Sequence, residues 1–244
     1  KKMKMHVWDD QKGHLEVPFR KYAYVKDGNG QHVSLYGDRL KKVTNYDKDD
    51  PTLHESDVPP TTRFLVDNYG DSDEMSVGHR IMFFDIEVEV TDGFPDVQKA
   101  QNVITSIALY DCITEKYFTY CFDPSKRIES YAKDDEVVEF YDTEYEMLNK
   151  FFQKYLEIRP TIVSGWNSEF FDIPYLYNRA VRVLGPEVAN LLSPISQVLY
   201  SEYKKKHTIA GVSSLDYLQL YRQFTFGQKS SYRLDYIGEV EVGM

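Results

Sequence analysis

The sequence predicts an α/β fold: a mixed sheet with helices over residues 77–244, preceded by a smaller β-rich domain over residues 1–76. Three observations lead there. Short strand-like runs with turn residues fill residues 1 to about 70. An acidic, aperiodic stretch at 67–74 then breaks the pattern as a linker does. Beyond it, apolar strand-like runs lead into a helix with a capping box and an apolar stripe.

In the first domain, residues 21–25 and 31–36 flank Lys26-Asp27-Gly28-Asn29-Gly30. Gly and Asn tolerate φ > 0, so a β-hairpin is expected. Gly28-x-Gly30 also resembles part of a phosphate loop, but it lacks the strand-to-helix context, and a turn is the better reading.

In the second domain, residues 81–90 (IMFFDIEVEV) read as a buried strand. Residues 103–110 and 116–122 are two more, and the short turn between them predicts antiparallel pairing. A short strand follows at 137–141. Thr143-Glu144-Tyr145-Glu146 is a capping box, and Leu148, Phe151, Phe152, Tyr155 and Leu156 continue it at helical spacing until Pro160. Residues 161–165 form a short strand. Residues 174–184 form a helix with Pro174 in its first turn and Gly185 past its end. A hairpin is expected from 197–202 and 208–212, then helices at 215–224 and 232–240. Three strands, then helix, strand and helix is the order of an RNase H-like sheet.

Composition narrows the function. The 244 residues carry a net charge of −10, against a module that grips nucleic acid by its own basic surface. The charge is compatible with an enzyme that binds divalent metal through carboxylates and takes its hold on DNA from other domains. Aromatic residues reach 15%, with 20 Tyr, which serve either as stacking platforms or as core and surface cover. Cys112 and Cys121 lie in apolar, strand-like sequence and read as buried thiols of a reducing compartment. The six His are scattered with no CxxC, HExxH or HxxxH pattern, so no zinc site is expected. No run spans a bilayer and no signal peptide follows Lys1-Lys2, so a soluble, cytoplasmic protein is expected.

The informative triplet is Asp85-Ile86-Glu87. On a strand, side chains at i and i+2 share a face, so Asp85 and Glu87 point one way while Phe84, Ile86 and Val88 point into the core. Two carboxylates a pleat apart, amid apolar residues, call for a compensating cation. Taken alone, the triplet reads more often as an acidic strand face, since such triplets are common. The second feature, Gly165-Trp166-Asn167-Ser168-Glu169-Phe170-Phe171-Asp172-Ile173-Pro174, places Asp172 at a helix N-terminus. There it is either an ordinary helix-start residue or part of an anion or metal site. Together the two features suit phosphodiester hydrolysis by two metals, which needs carboxylates from different elements converging on the ions.

At these residues the chain resembles the proofreading exonuclease of family B DNA polymerases, especially those of T-even-like bacteriophages. Phe84-Asp85-Ile86-Glu87 resembles the first exonuclease motif, and Asn167-Ser168-Glu169-Phe170-Phe171-Asp172 the second. Thr91-Asp92-Gly93-Phe94-Pro95, Ile173-Pro174-Tyr175-Leu176-Tyr177-Asn178-Arg179, Leu215-Asp216-Tyr217 with Tyr221 and Phe224, and Ser231-Tyr232-Arg233-Leu234-Asp235-Tyr236-Ile237 resemble further family segments. Upstream, Glu55-Ser56-Asp57-Val58 and Thr62-Arg63-Phe64-Leu65 resemble the lead-in from the N-terminal domain.

The resemblance implies an enzyme, a 3′→5′ exonuclease of a replicative DNA-directed DNA polymerase. It implies two Mg²⁺ or Mn²⁺ ions, with Asp85 bridging both, Glu87 holding one and orienting water, and Asp172 binding the other. It further implies that Asn167 and Phe171 shape the pocket for the 3′-terminal nucleotide of single-stranded DNA. The hairpin near 197–212 would help part primer from template, with Lys204-Lys205-Lys206 either touching phosphate or simply solvated. The implied partners are primer-template DNA and the remaining polymerase domains, with no membrane, in the host cytoplasm if the source is viral.

The family's third exonuclease motif is expected downstream of residues 232–240, so the chain reads as a fragment that stops before it and lacks the polymerase motifs. Asp216 and Asp235 match non-catalytic family segments and are not assigned as ligands. Other readings are a stand-alone exonuclease of the same carboxylate chemistry acting on RNA or oligonucleotides, and a catalytically impaired structural or binding fragment. A sequence-specific DNA-binding module is disfavoured by the charge and the lack of a basic recognition helix.

Overall fold

Alternating burial builds the first ribbon. In β1 (Met3–Asp9) and β2 (Gly13–Phe19), every second side chain is sheltered and the strands pair antiparallel from Met3↔Phe19 to Asp9↔Gly13. This is a computed structural model that describes residues 3–9, 12–75, 77–91 and 93–243; Lys1, Lys2 and Asp92 lie outside them. The chain divides into two compact units, Lys1–Gly78 and His79–Met244.

The first unit continues with β3 (Ala23–Lys26), β4 (His32–Val33), β5 (Arg39–Val43) and β6 (Leu53–His54), in the sheet order β4-β5-β3-β6. The expected hairpin around residues 26–30 is corrected here, because β3 and β4 each pair with β5 and not with one another. Gly30 instead makes room for the neighbouring strand. A Cβ there would lie 2.2 Å from the Leu40 carbonyl oxygen, so only glycine lets β5 pass. The hairpin turn joins β4 to β5, where Gly37 takes φ +84° and the Ser34 hydroxyl accepts from the N–H groups of Tyr36 and Asp38.

A second correction concerns the linker. Asp67, Asn68 and Tyr69 belong to a helix, α1 (Pro60–Tyr69). Their polarity resembles a linker, but the side chains are engaged. Asp67 accepts from the Tyr22 hydroxyl at 2.6 Å, and the Asn68 amide donates to the Phe64 carbonyl. Phe64 and Arg63 face inward.

The second unit is built on β7 (Ile81–Val88), β8 (Ile104–Asp111), β9 (Lys116–Phe122), β10 (Tyr131–Lys133) and β11 (Glu136–Tyr141). α2 (Glu144–Ile158) follows, capped by the Thr143 hydroxyl on the Glu146 N–H, and ends at Arg159 in a left-handed conformation just before Pro160. Next come β12 (Ile162–Gly165), α3 (Asp172–Val183) and a short α4 (Pro186–Ala189) with a 3₁₀ turn at Asn190–Leu192. β13 (Val198–Ser201) and β14 (Lys206–Ile209) form the expected antiparallel hairpin.

The chain then runs through β15 (Ser213–Asp216), α5 (Tyr217–Phe224) and α6 (Leu234–Val242). Leu215 and Asp216, expected at the start of a helix, are instead the end of a strand. Four residues are too few to show a period of two, and the parallel partner β12 supplies what local pattern does not.

The large sheet has the order β10-β11-β9-β8-β7-β12-β15. β7, β8 and β9 run antiparallel to one another in turn, while β12 lies parallel to both β7 and β15, and β11 parallel to β9. One face packs on α2 and α3, where Met82, Phe84 and Ile86 of β7 meet Leu148, Phe151 and Tyr155 of α2 and Ile173 and Leu176 of α3. Each such side chain removed from water contributes about 1.5–3 kcal/mol. The arrangement is a mixed, RNase H-like sheet with a small β-rich N-terminal part.

Candidate active site

The pleat sorts β7 as alternation predicts: Met82, Phe84 and Ile86 are buried, while Phe83, Asp85 and Glu87 face the open side. The register with β8 shifts between Glu87, opposite Ser106, and Val88, opposite Ile104, so the extra residue, Thr105, lies on β8.

Asp172 reaches the same strand from 86 residues away. It is the first residue of α3, and Phe171 before it supplies no side-chain cap. It is buried, and Oδ1 accepts from the Ile86 N–H at 3.1 Å, between Asp85 and Glu87 in the chain. Burial pushes the Asp172 carboxyl up to about 7, with the Asp85 charge adding to the effect. Asp85 is also pushed up, by its partial burial first and then by Glu87. The structure thus brings Asp85, Glu87 and Asp172 to one end of β7, where neighbouring carboxylates make ionisation of Asp85 and Asp172 more costly.

The loop between β12 and α3 carries the other two predicted residues. Gly165 leaves β12 under tight constraint, since a Cβ there would lie 2.5 Å from the Phe84 carbonyl oxygen. Asn167 adopts φ 65°, a left-handed conformation that Asn tolerates, and its carbonyl accepts from the N–H groups of Phe170 and Phe171 at 3.2 Å. The Phe171 ring lies 5.6 Å from that of Tyr175 and 5.3 Å from that of Phe94.

Phe94 is not among the site residues expected from sequence. It is 82% exposed, in the loop after β7. The cue available in the sequence is a large aromatic in a polar loop. That loop is tied to α3: Asn178 donates to the Val97 carbonyl, and the Tyr175 hydroxyl to the Asn102 carbonyl. Arg179 donates to the Ala100 and Gln101 carbonyls and forms a two-pronged, buried ion pair with Glu144.

Asp216 is a second residue whose part is invisible to sequence reading. It is buried, and its carboxylate accepts from the backbone of the 165–172 loop. Lys206 of β14 reaches the same loop, pairing with both oxygens of Glu169 at 2.9 and 3.0 Å. Lys205 pairs with Glu202, whereas Tyr203 and Lys204 are exposed at the hairpin tip.

The donor set is all oxygen and all anionic, the chemistry of a hard divalent cation. Among the described residues, no three His, Cys, Asp or Glu side chains close into a ready-made metal cluster. Burial first and neighbouring carboxylates second raise Asp85 and Asp172, a cost that a cation held by these oxygens would offset.

A mixed sheet with carboxylates gathered at the end of β7, beside an aromatic pair, defines an exonuclease-like domain of the RNase H type. The family model described as the exonuclease domain of DNA polymerase family B matches residues 70–237, and the chain belongs to that family. It is 34% identical over 194 residues to the DNA-directed DNA polymerase of Escherichia phage RB69, covering 68% of this chain and 21% of the relative. It is 31% identical over 183 residues to that of Enterobacteria phage T4, covering 64% and 20%. DNA polymerase 1 of Saccharolobus solfataricus is 28% identical over 217 residues, 79% of this chain and 23% of that protein. The chain therefore spans about a fifth of the length of the curated relatives it matches.

Proposed function

We propose that this chain carries a proofreading 3′→5′ exonuclease, hydrolysing the terminal phosphodiester of single-stranded DNA within a longer DNA-directed DNA polymerase. The observation that carries the reading is the buried Asp172 carboxylate held against β7 on the Ile86 N–H, next to Asp85 and Glu87.

In this reading Asp85, Glu87 and Asp172 hold two Mg²⁺ or Mn²⁺ ions. Such ions, when bound, lower the pKa of the attacking water and stabilise charge on the reacting phosphate. The chain's own groups do the rest. Glu87, on the open face of β7, orients the water. The rings of Phe94 and Phe171, 5.3 Å apart, offer stacking surface to the terminal base. Asn167, on the loop before α3, closes the nucleotide pocket. The exposed tip of the β13–β14 hairpin, with Tyr203 and Lys204, meets DNA where strands part.

The test is digestion of 5′-labelled single-stranded DNA with Mg²⁺ or Mn²⁺, using this chain and a form extended beyond residue 244, each beside its Asp85→Ala variant. Stepwise loss from the 3′ end, reduced at least about 100-fold by the substitution, is expected. Activity in the extended form alone would assign a needed ligand to the later segment. No activity in either folded form would refute the reading.

A further inference from the structure

We propose that Asp216 is a positioning residue for the nucleotide pocket: its carboxylate grips the backbone of the loop that presents Asn167, Phe171 and Asp172. The proposal rests on the exonuclease reading and deepens it.

Asp216 ends β15, opposite Gly165 of the parallel neighbour β12, so its side chain emerges where the chain leaves β12 for the loop. It is only 3% exposed. Oδ1 accepts from the Asn167 N–H at 3.1 Å and from the Leu218 N–H at 2.9 Å, and Oδ2 accepts from the Glu169 N–H at 3.1 Å. A carboxylate accepts only, and backbone donors aimed at it make charge-assisted bonds, stronger than neutral ones.

The Leu218 bond is a helix cap, a duty any Asp before a helix can have. The bonds to Asn167 and Glu169 start no helix. They fix the two residues on either side of Ser168, and from there the turn is set. The Asn167 carbonyl takes the N–H groups of Phe170 and Phe171, and the Ser168 carbonyl takes the N–H of Ile173. The grip on the loop therefore reaches the aromatic ring at Phe171 and the start of α3 at Asp172. Lys206 holds the Glu169 side chain from β14, so the loop is fastened by backbone on one side and by side chain on the other.

Two substitutions separate the grip from the cap. Asn caps helices as well as Asp does, so Asp216→Asn keeps one oxygen for Asn167 and Leu218. Its NH₂ group, however, faces the Glu169 N–H as a donor against a donor. Asp216→Ala removes all three acceptor bonds.

Amide hydrogen exchange of ¹⁵N-labelled protein is followed at Asn167 and Glu169, with Ile237 of α6 as reference. The same samples are assayed for removal of the 3′-terminal nucleotide from a 5′-fluorescein single-stranded DNA. For Asp216→Asn, exchange at Glu169 is expected to rise about ten-fold, the loss of one charge-assisted bond, and terminal-nucleotide removal to slow by a similar factor. Exchange at Ile237 should be unchanged. Asp216→Ala should raise exchange at both loop amides and also lower the melting temperature.

Unchanged loop exchange in Asp216→Asn would overturn the proposal, as would faster exchange with an unchanged rate of hydrolysis. The rates are read in whichever of this chain and the form extended beyond residue 244 hydrolyses DNA, and absence of hydrolysis by both unsubstituted forms would overturn the exonuclease reading itself. That failure is distinct, because the exchange data would still show whether Asp216 holds the loop.

Discussion

Asp172 shows how a site of this kind works against the fold that holds it. Its carboxyl is pushed from the usual 3.8 to about 7, by burial first and by Asp85 second. A carboxyl with a raised pKa binds its proton more tightly in the folded protein than in the unfolded chain. Stability is therefore highest below the unfolded value, falls as pH rises between 3.8 and about 7, and stays low above that. The span amounts to roughly 4 kcal/mol at about 1.4 kcal/mol per unit. In EDTA, Asp172→Asn should be more stable than the parent at pH 8 by a few kcal/mol, and equal to it near pH 4, as read by urea unfolding. Mg²⁺ should raise the parent's stability at pH 8 and the variant's much less. Equal stability at both pH values would mean that Asp172 ionises in the fold without cost.

At the scale of elements, Gly165 sets how closely β12 can approach β7. A Cβ would meet the Phe84 carbonyl oxygen at 2.5 Å and the Ser168 Cβ at 3.0 Å, so Gly165→Ala must push the loop off the strand that carries Asp85. A cost of about 1–3 kcal/mol is expected from such overpacking, with the rate of 3′-end digestion falling alongside the melting temperature. A variant with unchanged melting and activity would show that the loop shifts freely.

What can be read from sequence follows the range of the forces involved. The cap at Thr143, the apolar stripe of α2 and the pleat that separates Asp85 from Ile86 are local patterns, visible in a few consecutive residues. The contact of Asp172 with Ile86 spans 86 residues and that of Asp216 with Asn167 spans 49, so no window of sequence contains them. β15 escapes for the same reason, since its four residues are a strand only because β12 lies alongside. The end of α1 is hidden because Asp67 and Asn68 look like linker residues until Tyr22 and Phe64 are seen to hold them.

Across the whole molecule, charge and organisation point the same way. With a net charge of −10, the chain attracts cations to its acidic strand end more readily than it attracts phosphate. The second unit has its own seven-stranded sheet and one continuous core that draws on β7, β8, α2 and α3, the requirements for folding alone. Residues 71–75 and 77–80, by contrast, are exposed and form neither helix nor strand. Backbone of that kind is where proteases cut first. A glutamate-specific protease should therefore cleave early after Glu74. The larger product should keep its helical and sheet circular dichroism and melt in one cooperative step. If it unfolded on release, the second unit would depend on the first for stability, and mutational effects on the site would have to be measured only in the longer chain. If it stays folded, the stability effects of Asp172→Asn and Gly165→Ala belong to the exonuclease unit alone and can be measured there.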